Sequence, residues 1–263
     1  MKAFAAIPIL ERPNKPRESG ITMIHETGMG LAAQEEYLTV YGEYVDLAKI
    51  PVGYSRLLDA QLLKDKIALY TRHQVIPFPG GQFLEYAFIK GKVREFMQGA
   101  VEVGYPAIEV SDNIIALTPT EKADLIRAAV KEFGLRVLGE VGKKEGLQSS
   151  PLAEDIKRCL AAGAWKVFVE AADLFAEGKD PRTAAENLMQ GTGVALKDVI
   201  FELPGYWIPG TRYSDPTHIA RELLDAFGPG VNLANVNANE VLHLETVRRG
   251  IGPNAGVETV TGH

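Results

Sequence analysis

A glutamate lies near the end of four successive short apolar runs, at Glu109, Glu140, Glu170 and Glu202, and the same register extends to Lys49, Gly80 and Asn235 at intervals of 29 to 33 residues. An interval of about 30 residues is the length of one β-strand followed by one helix and its loops. One shorter interval, from Glu26 to Lys49, adds the first position of the repeat. Eight equivalent positions result: Glu26, Lys49, Gly80, Glu109, Glu140, Glu170, Glu202 and Asn235.

The apolar runs are rich in β-branched residues, and they alternate with longer segments in which apolar residues lie three or four positions apart. The predicted strands cover residues 21–26, 44–50, 75–80, 107–112, 136–141, 166–171, 199–204 and 231–236. Eight strand–helix pairs predict an α/β fold, a single (β/α)8 barrel of the TIM type. A doubly wound open sheet also alternates strands and helices, but it usually carries a G-x-G-x-x-G turn that this sequence lacks.

Length and charge narrow the class of protein. The 263 residues suit one barrel domain over 1–263, with 1–19 as an extended lead-in. The net charge is -6 without a long basic run, so we expect no nucleic-acid partner. We expect no membrane partner either, because no run of about 18 apolar residues occurs and the N-terminus lacks the features of a signal peptide. The single cysteine, Cys159, fits a buried helical position in a reduced, cytoplasmic protein.

Strand-end side chains of such a barrel converge at its carboxyl-terminal face, where these enzymes bind substrate. Several carboxylates at one mouth repel one another unless they are protonated, paired with cations or bound to a hard metal ion. Oxygen ligands favour Mg²⁺, which we expect as the cofactor. The candidate metal ligands are Glu109, Glu140, Glu170 and Glu202.

Three lysines supply candidate cations for the same mouth: Lys49 at the end of the second strand, and Lys143 and Lys144 just after the fifth. Carboxylates, a metal and a lysine together are typical of enolate chemistry on a small anionic carboxylic acid. The alternative is that each glutamate forms a structural salt bridge around a packed barrel.

Other polar residues near the strand ends have two interpretations each. His25 could be a ligand, a base or a satisfied core residue. Asn232 and Asn235 flank the eighth strand, where barrels often bind phosphate. Arg248 and Arg249 could complement a helix C-terminus or make a subunit contact.

Five segments, in this order along the chain, resemble the phosphosulfolactate synthase family: PGGQFLEYAF (79–88), IEVSD (108–112), GEVGKK (139–144), VNLAN (231–235) and LETVRRG (244–250). The resemblance extends over nearly the whole chain. It implies a magnesium-dependent barrel that forms a homo-oligomer, for example a trimer. It also implies a lyase reaction, the addition of sulfite to phosphoenolpyruvate early in one route to coenzyme M.

The resemblance also implies roles for individual residues. Lys144 corresponds to the family's general acid, which protonates C2 after sulfite attacks C3, and Lys143 assists with an anionic group. Lys49 corresponds to a lysine that holds phosphate or sulfite. The remaining candidates for substrate binding are Glu26, Gly80, Gly81, Ser111, Asn232, Asn235 and Arg212.

The chain departs from the family pattern around the expected site. An arginine of the family's sixth-strand motif is missing from residues 170–173, and a glutamine–lysine pair after the seventh strand is replaced by Gly205-Tyr206. The loop 206–213 is rich in aromatic residues and could be a lid or a wall for a bulkier ligand. Two alternatives therefore stand beside the lyase: a divergent magnesium enzyme for another enolisable acid, and a non-catalytic, stress-associated homologue.

Overall fold

Eight parallel strands with helices between them form the fold, at the positions that the repeat predicts. The structure is a computed structural model, and it describes residues 2–142, 151–170, 180–205, 207–208 and 210–253. The strands are β1 Thr22–His25, β2 Leu47–Ile50, β3 Ile76–Pro79, β4 Ala107–Val110, β5 Arg136–Val141, β6 Lys166–Val169, β7 Val199–Glu202 and β8 Leu233–Asn237.

Ten α-helices lie within the described ranges. They are α1 Leu31–Tyr41, α2 Tyr54–Leu57, α3 Ala60–Arg72, α4 Gly81–Ile89, α5 Val93–Val103, α6 Pro119–Phe133, α7 Leu152–Ala162, α8 Pro181–Thr192, α9 Asp215–Phe227 and α10 Val241–Arg248. Thr118 begins α6 with the capping box that its spacing from Glu121 predicts. Gly104, Gly134 and Gly163 end their helices in the left-handed conformation.

The strands pair in the order β3-β2-β1-β8-β7-β6-β5-β4. Since β3 and β4 also lie in contact, the sheet curls into a nearly closed barrel. The predicted (β/α)8 fold is confirmed. Among the described residues, no helix is both long and apolar enough to cross a bilayer.

Alternate strand residues face the barrel interior, where one apolar layer fills the centre. This layer includes Met23, Leu47, Phe78, Ala107, Leu138, Phe168, Ile200 and Ala234. The intervening residues pack under the helices in a larger apolar cluster that includes Ile24, Ile108, Val137, Val167 and Phe201. Side chains two positions beyond the central layer therefore point into the mouth at the carboxyl ends of the strands.

The lead-in closes the opposite end of the barrel with buried ion pairs. Arg12 contacts Asp46 at 2.9 Å and Glu245 at 2.6 Å, and Arg17 contacts Asp46 at 2.7 Å. Arg248 is also buried here and donates to the backbone carbonyls of residues 229 and 231. Arg248 therefore has a structural role within the chain: it binds backbone carbonyls near the start of β8.

Cys159 generates a prediction about thiol reactivity. The side chain is buried on α7, and burial raises the pKa of its thiol to about 11. At pH 8 the thiolate fraction is therefore roughly two hundred times smaller than for a free cysteine of pKa about 8.5. We expect Ellman's reagent to label the native protein at least that much more slowly than the protein in guanidinium chloride. Equal rates in the two states would contradict the burial of this side chain.

Candidate active site

Three glutamates meet at the carboxyl-terminal mouth of the barrel. Glu140, Glu170 and Glu202 each lie two residues beyond a member of the central apolar layer, so alternation turns all three inward. Each is buried, and each offers a carboxylate oxygen within 4.8 Å of the others. The repeat interval predicts this convergence, and the structure confirms it as geometry.

Lys49 lies among the carboxylates on the floor formed by the apolar layer. Its ammonium nitrogen is 3.1 Å from Glu109 Oε1, 3.3 Å from Glu202 Oε1 and 5.2 Å from the centre of the Phe168 ring. Burial disfavours the charged form of Lys49, but the carboxylates, Glu109 first and then Glu202, outweigh burial and raise its pKa above the ordinary value. The lysine is therefore a permanent cation at neutral pH.

Glu109 is held from two sides. Its Oε1 faces Lys49, and its Oε2 accepts a hydrogen bond of 3.0 Å from the backbone N–H of Gly81, the first residue of α4. Burial raises the pKa of Glu109 well above the ordinary value, against the opposing effect of Lys49. A helix N-terminus stabilises a carboxylate, so α4 offsets part of the cost of burial.

The absence of a side chain at Gly81 permits this approach. A Cβ at residue 81 would lie 2.2 Å from Ser111 Oγ and 3.1 Å from Glu109 Cγ. Ser111 in turn donates to the buried carboxylate of Glu85, which also accepts the backbone N–H of Ile114 at 2.6 Å. Ser111 and Gly81 thus shape the site, while their predicted contacts with substrate remain predictions.

Two neighbouring side chains, those of Asn113 and Lys122, position Glu140. Asn113 donates to its Oε1 at 2.7 Å. Lys122, on α6, donates to the backbone carbonyl of Glu140 and is 2.7 Å from Asp112. The sequence interpretation missed Asn113 and Lys122, although each lies close in sequence to a strand end or a helix start.

The donor set fits a hard divalent cation. Four carboxylates, those of Glu109, Glu140, Glu170 and Glu202, are buried together, and Lys49 is in ion-pair contact with Glu109 and Glu202. Carboxylates buried so close together are costly unless cations or shared protons stabilise them. Three convergent carboxylates match the all-oxygen coordination of Mg²⁺, so Glu140, Glu170 and Glu202 are the residues that could hold it.

Glu26 does not point into the barrel as Glu140, Glu170 and Glu202 do, so the prediction that it occupies the equivalent position on β1 is wrong. Its neighbour His25 pairs in register with Lys49 and occupies the inward position. Glu26 instead accepts the backbone N–H groups of Gly28 and Met29, at 2.8 and 2.6 Å, and its Oε1 lies 3.6 Å from Lys66 of α3. Strict alternation from Met23 would have selected His25.

The prediction that Asn235 occupies a position equivalent to the inward glutamates also needs correction, because Asn235 lies in a β-bulge of β8. Thr22 pairs with Leu233 but Ile24 pairs with Val236, so β8 has one extra residue. Asn235 adopts a left-handed φ of 59° there and donates through Nδ2 to the Leu203 carbonyl at 3.4 Å.

Asn232 lies at the other end of the barrel, near the start of β8. Its side chain accepts from the backbone of Ile21 and donates to the carbonyls of Lys197 and Val199. All of these contacts are structural, so the placement does not support the predicted substrate contact. Gly80 caps α4 beside β2, where a Cβ would lie 2.9 Å from the backbone of Val52. Lys143 and Lys144 lie outside the described residues.

A cavity of about 520 Å³ opens beside the carboxylates, between the ends of β1, β7 and β8. The imidazole of His25 stacks on the indole of Trp207 in its wall, with ring centroids 4.7 Å apart and planes 17° apart. Arg212 and Asn235 line the same cavity. The structure thus brings these two predicted residues together, next to the mouth rather than inside the ring of carboxylates.

Comparison with known proteins identifies the family. The family model of (2R)-phospho-3-sulfolactate synthase, ComA, matches residues 10–253. The chain belongs to this family. The phosphosulfolactate synthase of Methanocaldococcus jannaschii is 34% identical over 246 residues, which cover 89% of this chain and 92% of that protein. The enzyme of Methanothermobacter thermautotrophicus is 32% identical over 251 residues, covering 91% and 92%.

Solved structures of other barrels resemble the phosphosulfolactate synthase fold seen here. The YdjI aldolase from Escherichia coli K12 aligns with a TM-score of 0.54 at 15% identity, over 92% of this chain and 90% of that one. The 3-hexulose-6-phosphate synthase from Salmonella typhimurium aligns with a TM-score of 0.54 at 14% identity, over 86% and 97%. At these identities the likeness shows the fold alone.

The contact at Gly81 can be tested by one added methyl group. We expect Gly81→Ala to lower the free energy of unfolding by about 1–3 kcal/mol, because the methyl group displaces Ser111 and Glu109. Gly99→Ala on α5 is the matched control: apart from its chain neighbours and the backbone of its own helix, no atom lies within 4 Å of a Cβ added there, and the change should stabilise the helix by roughly 0.5–1 kcal/mol. Denaturant midpoints of the two variants measure both effects, and a neutral Gly81→Ala would refute the close approach.

The convergence of Glu140, Glu170 and Glu202 predicts that Mg²⁺ stabilises the folded protein. A cation that binds only the folded state raises the unfolding temperature in proportion to the logarithm of its concentration. We expect Glu170→Gln to weaken Mg²⁺ binding by more than roughly 10–100-fold, the loss typical when a group that only supports a metal ligand is removed, because an amide oxygen replaces a charged ligand oxygen.

Glu186→Gln, which removes an exposed partner of Arg182 on α8, is the control for the metal experiment. It should leave the Mg²⁺ response unchanged. An Mg²⁺ response that is equal in wild type and Glu170→Gln would exclude Glu170 as a ligand.

Proposed function

We propose that the protein is a magnesium-dependent lyase that forms a carbon–sulfur bond by adding sulfite to phosphoenolpyruvate. Family membership supports the reaction class, since its relatives are named phosphosulfolactate synthases. The observation that carries the proposal is the arrangement of three convergent buried carboxylates around Lys49, which fits a hard cation beside a fixed ammonium.

The chain's own residues supply binding and proton transfer. Lys49, fixed by Glu109 and Glu202, would attract an anionic substrate to the mouth. The sulfur lone pair of sulfite forms the bond to C3, the C2–C3 double-bond electrons move toward the carboxylate, and a proton then adds to C2. Lys144, by its resemblance to the family's general acid, would deliver that proton. When bound at Glu140, Glu170 and Glu202, Mg²⁺ would stabilise negative charge on the substrate carboxylate.

One observation favours a second candidate, a related magnesium enzyme for another enolisable acid. The cavity beside the ring has mainly apolar walls, including Leu203, Trp207, Leu244 and Val247. Small, highly anionic substrates are usually held by several charge-assisted hydrogen bonds, and Arg212 is the one arginine or lysine among the described residues that line this cavity.

Consumption of phosphoenolpyruvate on addition of sulfite, with Mg²⁺ present, tests the first candidate. We expect turnover in the wild type and a fall of at least roughly 10²-fold in Lys49→Met, because a fixed charge at the reacting group is lost. Lys92→Met removes an exposed ion pair with Glu95 and should retain wild-type turnover. Protein that binds Mg²⁺ but consumes no phosphoenolpyruvate would favour the second candidate.

A further inference from the structure

Glu85 is a buried carboxylate outside the group of strand-end glutamates, and its partners lie in one short segment at the end of β4. The side chain projects from α4 and is fully buried. One of its oxygens accepts the hydroxyl of Ser111, and the other accepts the backbone N–H groups of Ile114 at 2.6 Å and Ile115 at 3.2 Å. One side chain of a helix therefore binds three residues of the segment 111–115.

The segment 111–115 also carries a group that contacts the candidate metal site. Asn113, in its middle, donates through Nδ2 to Glu140 Oε1 at 2.7 Å. Glu85 holds the chain on both sides of Asn113, so it fixes the backbone from which this donor projects. Because Glu140 is one of the three convergent carboxylates, the placement of Asn113 determines how one candidate ligand is oriented.

Apolar burial does not hold the segment 111–115 in place. The side chain of Ile114 is 54% exposed, and residues 112, 113 and 115 are only partly buried. The segment has one further polar tie, the contact of 2.7 Å between Asp112 and Lys122 of α6. Hydrogen bonds and this ion pair therefore fix the segment, and Glu85 accepts three of the hydrogen bonds.

A carboxylate is a costly choice for the position of Glu85 if the position only fills space between α4 and β4, which pack together. Removing a carboxylate from water costs free energy, and the three donors offset this cost only while the segment keeps its present arrangement. An apolar side chain would fill the same space without that cost. What the carboxylate adds is direction, because a satisfied buried hydrogen-bond network rigidifies the groups that form it.

We propose that Glu85 is a positioning residue of the metal site: it fixes the segment 111–115 so that Asn113 holds the Glu140 carboxylate in the orientation that binds Mg²⁺. The proposal rests on the proposed function in one respect, that Mg²⁺ binds the three convergent glutamates. Glu85 acts through Asn113 rather than by contact with the metal. Removal of a group that supports a metal ligand typically weakens metal binding by roughly 10–100-fold.

Calorimetric titration of the purified protein with Mg²⁺ measures this effect without turnover. Glu85→Met keeps the length of the side chain and removes both acceptors, so we expect it to weaken Mg²⁺ binding at least about tenfold. Glu85→Gln keeps an acceptor for the backbone N–H groups and can donate to Ser111 Oγ, so it should stay within about threefold of the wild type. An unchanged dissociation constant in Glu85→Met overturns the proposal.

A double-mutant cycle shows whether Glu85 acts through Asn113. Asn113→Ala should weaken Mg²⁺ binding about as much as Glu85→Met, and the double variant should be weaker by no more than about twofold again, because both changes break the same connection. Fold-changes that multiply in the double variant overturn that connection. Ile67→Val, which removes a buried methyl group from α3, controls for a general loss of stability and should leave Mg²⁺ binding unchanged.

Hydrogen exchange tests the same contacts in the wild type, so this result does not depend on the folding of any variant. The amide protons of Ile114 and Ile115 bind a buried carboxylate, although the Ile114 side chain is exposed. We expect both amides to be protected in the native protein and to exchange faster in Glu85→Met. Unprotected amides at both positions in the wild type overturn the proposal.

The outcomes distinguish the role of Glu85 from the proposed reaction. Equal Mg²⁺ dissociation constants in wild type and Glu85→Met, in protein that consumes phosphoenolpyruvate with sulfite, overturn the role of Glu85 and leave the reaction standing. Weaker Mg²⁺ binding by Glu85→Met, when the wild type consumes no phosphoenolpyruvate, supports the role of Glu85 and overturns the reaction.

Discussion

The burial of four carboxylates around one lysine is the constraint on which the rest of the site depends. Charges of one sign in a space of a few ångströms repel strongly where water is scarce, so each carboxylate needs a cation, a proton or a hydrogen-bond donor close by. Neighbouring features reduce the cost: the N-terminus of α4 donates to Glu109, and Asn113 donates to Glu140. Glu140, Glu170 and Glu202 nevertheless converge, with oxygens within 4.8 Å of one another, and this arrangement fits a hard divalent cation.

Buried charges at the two ends of the barrel are arranged differently. At the amino-terminal end, Arg12 and Arg17 pair with Asp46 and Glu245 at 2.6 to 2.9 Å, and these contacts tie the lead-in to the barrel. At the carboxyl-terminal end, Glu140, Glu170 and Glu202 point toward one another, and Lys49 contacts Glu202 and Glu109. Carboxylates that converge in this way cluster at functional sites, and barrels of this class act at the same end.

The repeat interval predicted all eight strands, the inward glutamates and Lys49, because one β/α unit has a nearly fixed length. It failed at β1 and β8 for physical reasons that spacing cannot encode. On β1, side chains alternate between the barrel interior and the helices, and this alternation turns His25 rather than Glu26 inward. On β8, a bulge removes Asn235 from the regular pairing with β1. Asn232 lies just before the start of β8, at the amino-terminal end of the barrel. The strand boundaries predicted from the sequence are approximate, so they did not separate this residue from those at the carboxyl-terminal mouth. The roles of Lys143 and Lys144 stay predictions.

The ring and the cavity are under different structural constraints. Each glutamate of the ring projects from a strand that is buried on both faces, so its position cannot change without moving the apolar layer beneath it. The cavity wall comes largely from segments after β7 and β8, where a side chain such as Trp207 packs against Gly205 and His25 rather than inside the barrel. Loops can exchange such residues at little cost to the fold. A barrel built in this way can keep its strand-end carboxylates while the wall of the neighbouring cavity changes.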